Sequence, residues 1–166
     1  MGIALIAASC ALYCVTYLSA QRSRLRQLED LVAMLEQMGA ELSARMTPLP
    51  ELAALLKGSC SGAAACFLGE LYTALGDLGE ESFCRIWRRC AEDSFPLLRE
   101  HELRALLALG GSLGRYELSA QLRALELCAQ VLRERAAQWR LGLSESKKLH
   151  MGLACASGAL LVILLI

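Results

Sequence analysis

Charge is confined to the interior of this chain, and that segregation limits what it can fold into more than any other feature. All 17 Lys and Arg fall between Arg22 and Lys148, and all 17 Asp and Glu between Glu29 and Glu145, in 166 residues. Residues 2–20, GIALIAASCALYCVTYLSA, are uncharged, and nineteen helical residues extend about 28 Å, close to the hydrocarbon thickness of a bilayer. Residues 151–166, MGLACASGALLVILLI, reach only about 24 Å, so a second span draws in Leu149 and His150, thins the bilayer, or both. The mean hydropathy of +0.41 is too high for an ordinary soluble domain of this size. Two transmembrane helices, 2–20 and 149–166, are therefore expected, with residues 21–148 between them. The rival for the first end is a cleaved signal peptide ending at Leu18-Ser19-Ala20, but the positively charged leader such a peptide needs is missing. The rival for the second is a helix buried in a soluble core, which the unbroken apolar run GALLVILLI argues against.

Cations set the orientation. Arg22, Arg24 and Arg26 follow the first apolar end and Lys147 and Lys148 precede the second, while the outer flanks carry only the termini. The positive-inside rule then puts residues 21–148 in the cytoplasm and both termini on the far side. Cys60, Cys66, Cys84, Cys90 and Cys128 fall in that reducing segment, so no disulfide framework is expected, and Cys10, Cys14 and Cys155 fall in the spans as small packing residues.

The middle segment is helical in pattern throughout, with no clean alternation of the kind that makes strands. Leu25, Leu28, Leu31, Leu35, Met38 and Leu42 form a narrow apolar seam on a first helix over 23–45, continuous with the span before it. Thr47-Pro48-Leu49-Pro50-Glu51 breaks it, with Thr47 as cap and Pro48 as the first residue of a short helix to about Lys57. A third helix over 63–75 carries Cys66, Phe67, Leu71 and Leu75 inward, and Gly76 and Gly79 close it. Glu80 and Glu81 suit the start of a fourth, whose inner face is Phe83, Ile86, Trp87 and Cys90. A fifth over 99–112 buries Leu103, Leu106, Leu107 and Leu113 and leaves Glu100, Glu102 and Arg104 nearer water, with Gly110, Gly111 and Gly114 as its closing turn. The last starts near Glu117, carries Leu118, Leu122, Leu125, Val131 or Leu132 and Trp139 on one stripe, and runs into the second apolar end. The expected fold is all-α: an antiparallel bundle of about six helices flanked by N- and C-terminal transmembrane helices.

Catalytic signatures are missing. Gly110-Gly111-Ser112-Leu113-Gly114 lacks the Lys-Ser/Thr step of a phosphate loop, the two histidines and spaced cysteines do not make a zinc set, and no Gly-x-Ser-x-Gly occurs. No enzyme, metal or cofactor is expected, and His101 between Glu100 and Glu102 reads as a solvated first-turn residue. Arg85, Arg88 and Arg89 form one basic patch and Arg133, Arg135 and Arg140 another; with acids interleaved and zero net charge, a solvated face or anionic lipid fits better than nucleic acid. Ala4-x3-Ala8 and Ala154-x3-Gly158 permit close helix contact within the membrane.

The chain resembles, end to end, the stage III sporulation protein AB family of endospore-forming bacteria. The resemblance lies in its length, its apolar ends, the break Thr47-Pro48-Leu49-Pro50-Glu51, the aromatic helix around Trp87, and Leu113-Gly114-Arg115-Tyr116-Glu117 followed by Gln121-Leu122. Arg115-Tyr116-Glu117 departs from the Ser-Asp type helix start usual there, which leaves that cap open. The resemblance implies a cytoplasmic bundle similar to the domains of the F-type platform protein of type II secretion and type IV pilus machines. It also implies membership of a channel complex joining mother cell and forespore, residence in the mother-cell membrane around the forespore, and, by analogy, contact with a secretion-type ATPase. The partners so implied are other membrane proteins of the complex, that ATPase and the bilayer, and the role is a non-enzymatic scaffold whose distal turns, with Arg85, Arg88 and Arg89, face the motor. One alternative is a membrane-tethered signalling adaptor that dimerises through the seam from Leu25 to Leu42. Another is a thiol-active enzyme, which would need Cys60, Cys66, Cys84 or Cys90 exposed with a depressed pKa.

Overall fold

Apolar residues recurring every three or four positions from Leu25 to Leu42 commit that segment to a helix that must bury one side. In this computed structural model the backbone is described for residues 2–77, 81–113 and 117–165, and the side chains for 16–17, 19–76, 81–113 and 117–142. The helix is α1, Gly2–Arg45, and it buries Leu28, Leu31, Val32, Met34, Leu35, Met38 and Leu42. The face is broader than a seam because α1 packs against three other elements, α2 (Leu49–Leu56), α3 (Gly62–Ala74) and α6 (Leu118–Leu165). Between them stand α4 (Phe83–Ser94) and α5 (Glu100–Ser112), with one 3₁₀ turn, Leu75–Asp77, after α3. All-helical architecture holds among the described residues, as the sequence pattern requires. Because Leu28 to Leu42 are consumed inside the bundle, the seam is not free to pair two chains, which displaces the dimeric adaptor.

Side-chain ties set the height of each helix along α1. Gln27 donates to the Ser94 carbonyl at 3.4 Å and accepts the Leu97 N–H at 3.1 Å, Arg24 reaches Glu102, and Arg140 donates to Glu29 at 2.8 Å. The end of α4, the start of α5 and the Arg140 turn of α6 therefore lie beside residues 24–30, and the start of α3 joins them where Gly62 meets Asp30. At the opposite end Leu42, Met46, Leu49, Leu118 and Gln121 line a hollow of about 290 Å³. Successive helices thus reverse direction, giving an antiparallel bundle whose first and last members run side by side.

Trp87 is the centre of the core. Its indole is fully buried, meets Phe67 edge-on at 4.9 Å and Phe83 at 5.8 Å, and donates Nε1–H to the Leu106 carbonyl at 2.8 Å. Gly110 lies one helical turn beyond Leu106, so the same indole crosses it, and a Cβ there would stand 2.3 Å from Trp87 Cδ1. Gly110 thus serves a close approach inside α5, and Gly111 follows it within the helix, neither forming the closing turn expected of them; the helix ends at Ser112, and Gly114 lies outside the described residues.

Three further expectations are corrected. Thr47 does not cap α2: Pro48 is the N-cap and Pro50 sits in the first turn, where a missing N–H costs nothing, so the start moves one residue on. Cys66 is exposed, because α3 turns Ala64, Phe67, Leu68 and Leu71 inward. On α6, where Val131 or Leu132 is expected on the inner stripe, Leu132 is the buried one. Glu102, expected nearer water, is fully buried. Among the described residues no helix is long and apolar enough to cross a membrane. The side chains of the two expected spans lie almost wholly outside them, although α1 and α6 continue unbroken through both ends.

Candidate functional site

Two surfaces at opposite ends of the bundle carry the chemistry worth weighing. The first is the arginine patch on α4. Amphipathic pattern puts Ile86, Trp87, Cys90 and Ala91 inward, which leaves Arg85, Arg88 and Arg89 exposed on the other side. Since Ser94 is level with Gln27 of α1, Arg85, nine residues earlier, stands about 14 Å farther up the bundle. Glu81 neutralises part of the patch: its carboxylate is 3.1 Å from Arg89 and 4.0 Å from Arg85. Arg88 alone of the three has no acidic partner among the described residues. Glu80 lies outside the described residues. Beside the patch runs an open groove of about 420 Å³ lined by Gly69, Glu70, Thr73, Ala74, Arg89, Cys90 and Asp93. Glu70 and Asp93 on one hand and Arg89 on the other put charge of both signs along it, beside the small residues Gly69 and Ala74.

The second surface is built around Glu102. Its Oε2 accepts the Arg99 N–H at 2.7 Å, closing the first turn of α5, and accepts Arg24 Nη2 at 2.9 Å from α1. Arg24, 16% exposed, also lays its guanidinium 4.4 Å from the Trp139 ring centre, and Arg99 lies 4.3 Å from the same ring. Three helices meet there. Glu102 Oε1 and Arg24 Nε are buried without hydrogen-bond partners, and His101 Nε2, also without one, lies 3.8 Å from Glu102 Oε1. His101 is thus not the simply solvated residue expected, since its ring nitrogen is turned toward a buried carboxylate.

Of the expected membrane-flanking residues, Arg22 and Arg26 are exposed, Arg24 is tied into the bundle, and the side chains of Lys147 and Lys148 lie outside the described residues. Arg133 and Arg140 do not form a free patch; they pair with Glu36 and Glu29 across the α1–α6 contact, while Arg135 donates to Gln138. The Arg24–Glu102 contact, 78 residues apart, went unread in the sequence, where Glu102 reads as nearer water.

None of the thiols whose protonation is perturbed becomes reactive. Burial pushes the Cys60 thiol up, and the Cys90 thiol up with help from Glu70 and Asp93, while burial alone drives Cys128 up to about 12. A raised thiol withholds the thiolate that nucleophilic or redox chemistry needs. Among the described residues no group of His, Cys, Asp and Glu is arranged to hold a metal.

The geometry describes an antiparallel helical bundle, and the comparisons agree with that fold. The sequence model of the family described as Stage III sporulation protein AB matches residues 1–166. A solved structure titled Stage III sporulation protein AB superposes with a TM-score of 0.65 at 21% identity, covering 74% of this chain and 97% of that one. At that identity the likeness is one of fold. No curated protein matches the chain.

Proposed function

The chain belongs to the stage III sporulation protein AB family, and from that premise we propose that it is a non-enzymatic membrane scaffold of the channel complex linking mother cell and forespore. Family membership supports a role in sporulation; the scaffold, its place and its partners are our reading. Residues 2–20 and 149–166 span the mother-cell membrane around the forespore, residues 21–148 form the cytoplasmic bundle, and both termini lie on the far side. Support comes from charge: Arg22, Arg24 and Arg26 follow the first apolar segment, and Lys147 and Lys148 precede the second.

One observation carries the mechanism. The helices that continue into the apolar ends are also the two that pack side by side through the bundle, joined by Glu36–Arg133 and Glu29–Arg140 and by Arg24 against Trp139. A body held by paired first and last helices transmits force to the bilayer without a flexible joint. Its opposite half, bearing Arg85, Arg88 and Arg89, is then turned toward the cytoplasm, where a secretion-type ATPase is the partner that fits the family analogy.

Arg88→Glu is the sharpest single test, since it reverses an exposed cation with no acidic partner among the described residues. Capture of the complex's ATPase from sporulating cells by the full-length chain should drop with Arg88→Glu, and further when Arg85→Glu and Arg89→Glu are added. Undiminished capture by the triple variant removes the patch from the docking surface.

A further inference from the structure

The turn between α4 and α5 has an unusual position. Phe95 is buried and the Leu98 N–H closes on its carbonyl at 3.2 Å, so Pro96 and Leu97 form the tip, with Leu97 45% exposed. The tip is not loose. Gln27 of α1 grips it from both sides through the Ser94 carbonyl and the Leu97 N–H, and Arg99 closes it against Trp139 of α6. Its two anchors are thus the helices that lead into the apolar ends, and Gln27 lies seven residues beyond Ala20, about 10 Å along the axis.

Exposed arginines gather at the same end, among acids that include Asp30, which feels the charge of Arg26. Glu102 neutralises Arg24 and Glu29 neutralises Arg140, and Glu100 lies 3.6 Å from Arg104. Arg22, Arg26 and Arg99 are exposed, and no ion pair to a carboxylate holds any of them among the described residues. The exposed acids Glu92 and Asp93 precede the tip by a turn of α4. An exposed apolar tip beside three exposed arginines, about 10 Å along α1 from the apolar end, suits a negatively charged bilayer surface.

We propose that the 96–99 turn is a third membrane contact, seating Pro96 and Leu97 among the headgroups of an anionic leaflet while Arg22, Arg26 and Arg99 meet lipid phosphates. The proposal rests on the reading of residues 2–20 and 149–166 as spans. Two anchors alone leave the bundle free to tilt in the plane across the line joining them. A third point off that line removes this freedom and fixes which face of α4 is presented to the cytoplasm.

The test uses the full-length chain in vesicles of phosphatidylcholine with phosphatidylglycerol, carrying a benzophenone analogue of phenylalanine at one position at a time. Position 97 is the probe, position 160 reports the apolar C-terminal end, and position 127, a 63% exposed leucine on α6, reports the bundle surface. After illumination, phospholipid adducts are read by mass. The proposal expects adducts at 97 and 160, none at 127, and loss of the adduct at 97 when phosphatidylglycerol is omitted or when Arg26→Glu and Arg99→Glu are introduced. Adducts at 160 without adducts at 97 overturn the third contact and leave the spans standing. Adducts at none of the three overturn the spans and this proposal together. Equal adducts at 97 and 127 overturn it as well, because the bundle would then lie on the bilayer without a preferred turn.

Discussion

Gly110 and Glu102 show how single residues position the two surfaces. An alanine at Gly110 gains up to about 1 kcal/mol of helix propensity, yet its Cβ would meet an indole pinned by Leu106 and packed on Phe67 and Phe83. Overpacking of a fixed aromatic costs about 1–3 kcal/mol, so the clash outweighs the propensity. Gly110→Ala should lower the urea midpoint of the bundle at unchanged slope; a raised midpoint would mean that the indole has room to move. Glu102→Ala leaves Arg24 facing Trp139 without its carboxylate and uncaps α5, and losing one partner of a buried pair costs about 3–5 kcal/mol. The same unfolding titration should show a larger loss for Glu102→Ala than for Gly110→Ala. Neither role is visible locally. Glycines near a helix end read as a turn, and a glutamate flanked by His101 and Leu103 reads as solvated, until Trp87 and Arg24 arrive from other helices.

Elements were legible where local chemistry decides them. Three- and four-residue apolar spacing located the α-helices seen among the described residues, and Pro48 and Pro50 located the break between α1 and α2. The cap geometry of that break was not legible, because it depends on how α1 stops. Met46 takes a left-handed conformation, φ 51, immediately after Arg45, with its N–H bonded to the Leu42 carbonyl at 3.1 Å. That is the position where glycine usually ends a helix, and a residue with a Cβ costs about 1–2 kcal/mol there. Met46 is largely exposed, so its side chain returns little packing. Met46→Gly should therefore stabilise the bundle by up to about 1 kcal/mol after the greater freedom of glycine in the unfolded chain is subtracted. Calorimetry checks it, and a fall in melting temperature would show that Met46 contributes to the hollow it lines with Leu42, Leu49 and Leu118. Faces were read less surely than positions: Cys66 and Val131 lie one residue off their buried neighbours, and only the packing of α3 and α6 separates the two.

At the scale of the whole molecule, the helices α1 to α6 of the described residues alternate in direction and return the chain to the end from which it left, so α1 and α6 leave the bundle side by side. The sequence carried this through the even count of helices and the cations beside each apolar end. It did not carry the contacts that fix the exit, since Arg140 with Glu29 and Arg24 with Trp139 join residues over a hundred positions apart. If both ends cross one membrane, the whole bundle lies on a single side, and Cys66 is a natural reporter of which. It is an exposed thiol on α3, whereas burial holds the Cys90 and Cys128 thiols protonated and shielded. A membrane-impermeant maleimide should leave Cys66 unmodified in intact cells and modify it rapidly in inverted vesicles, with Cys90 and Cys128 slow in both. Modification in intact cells would place the bundle outside, reverse the reading of Arg22, Arg24, Arg26, Lys147 and Lys148, and put Arg88 beyond the reach of any cytoplasmic motor.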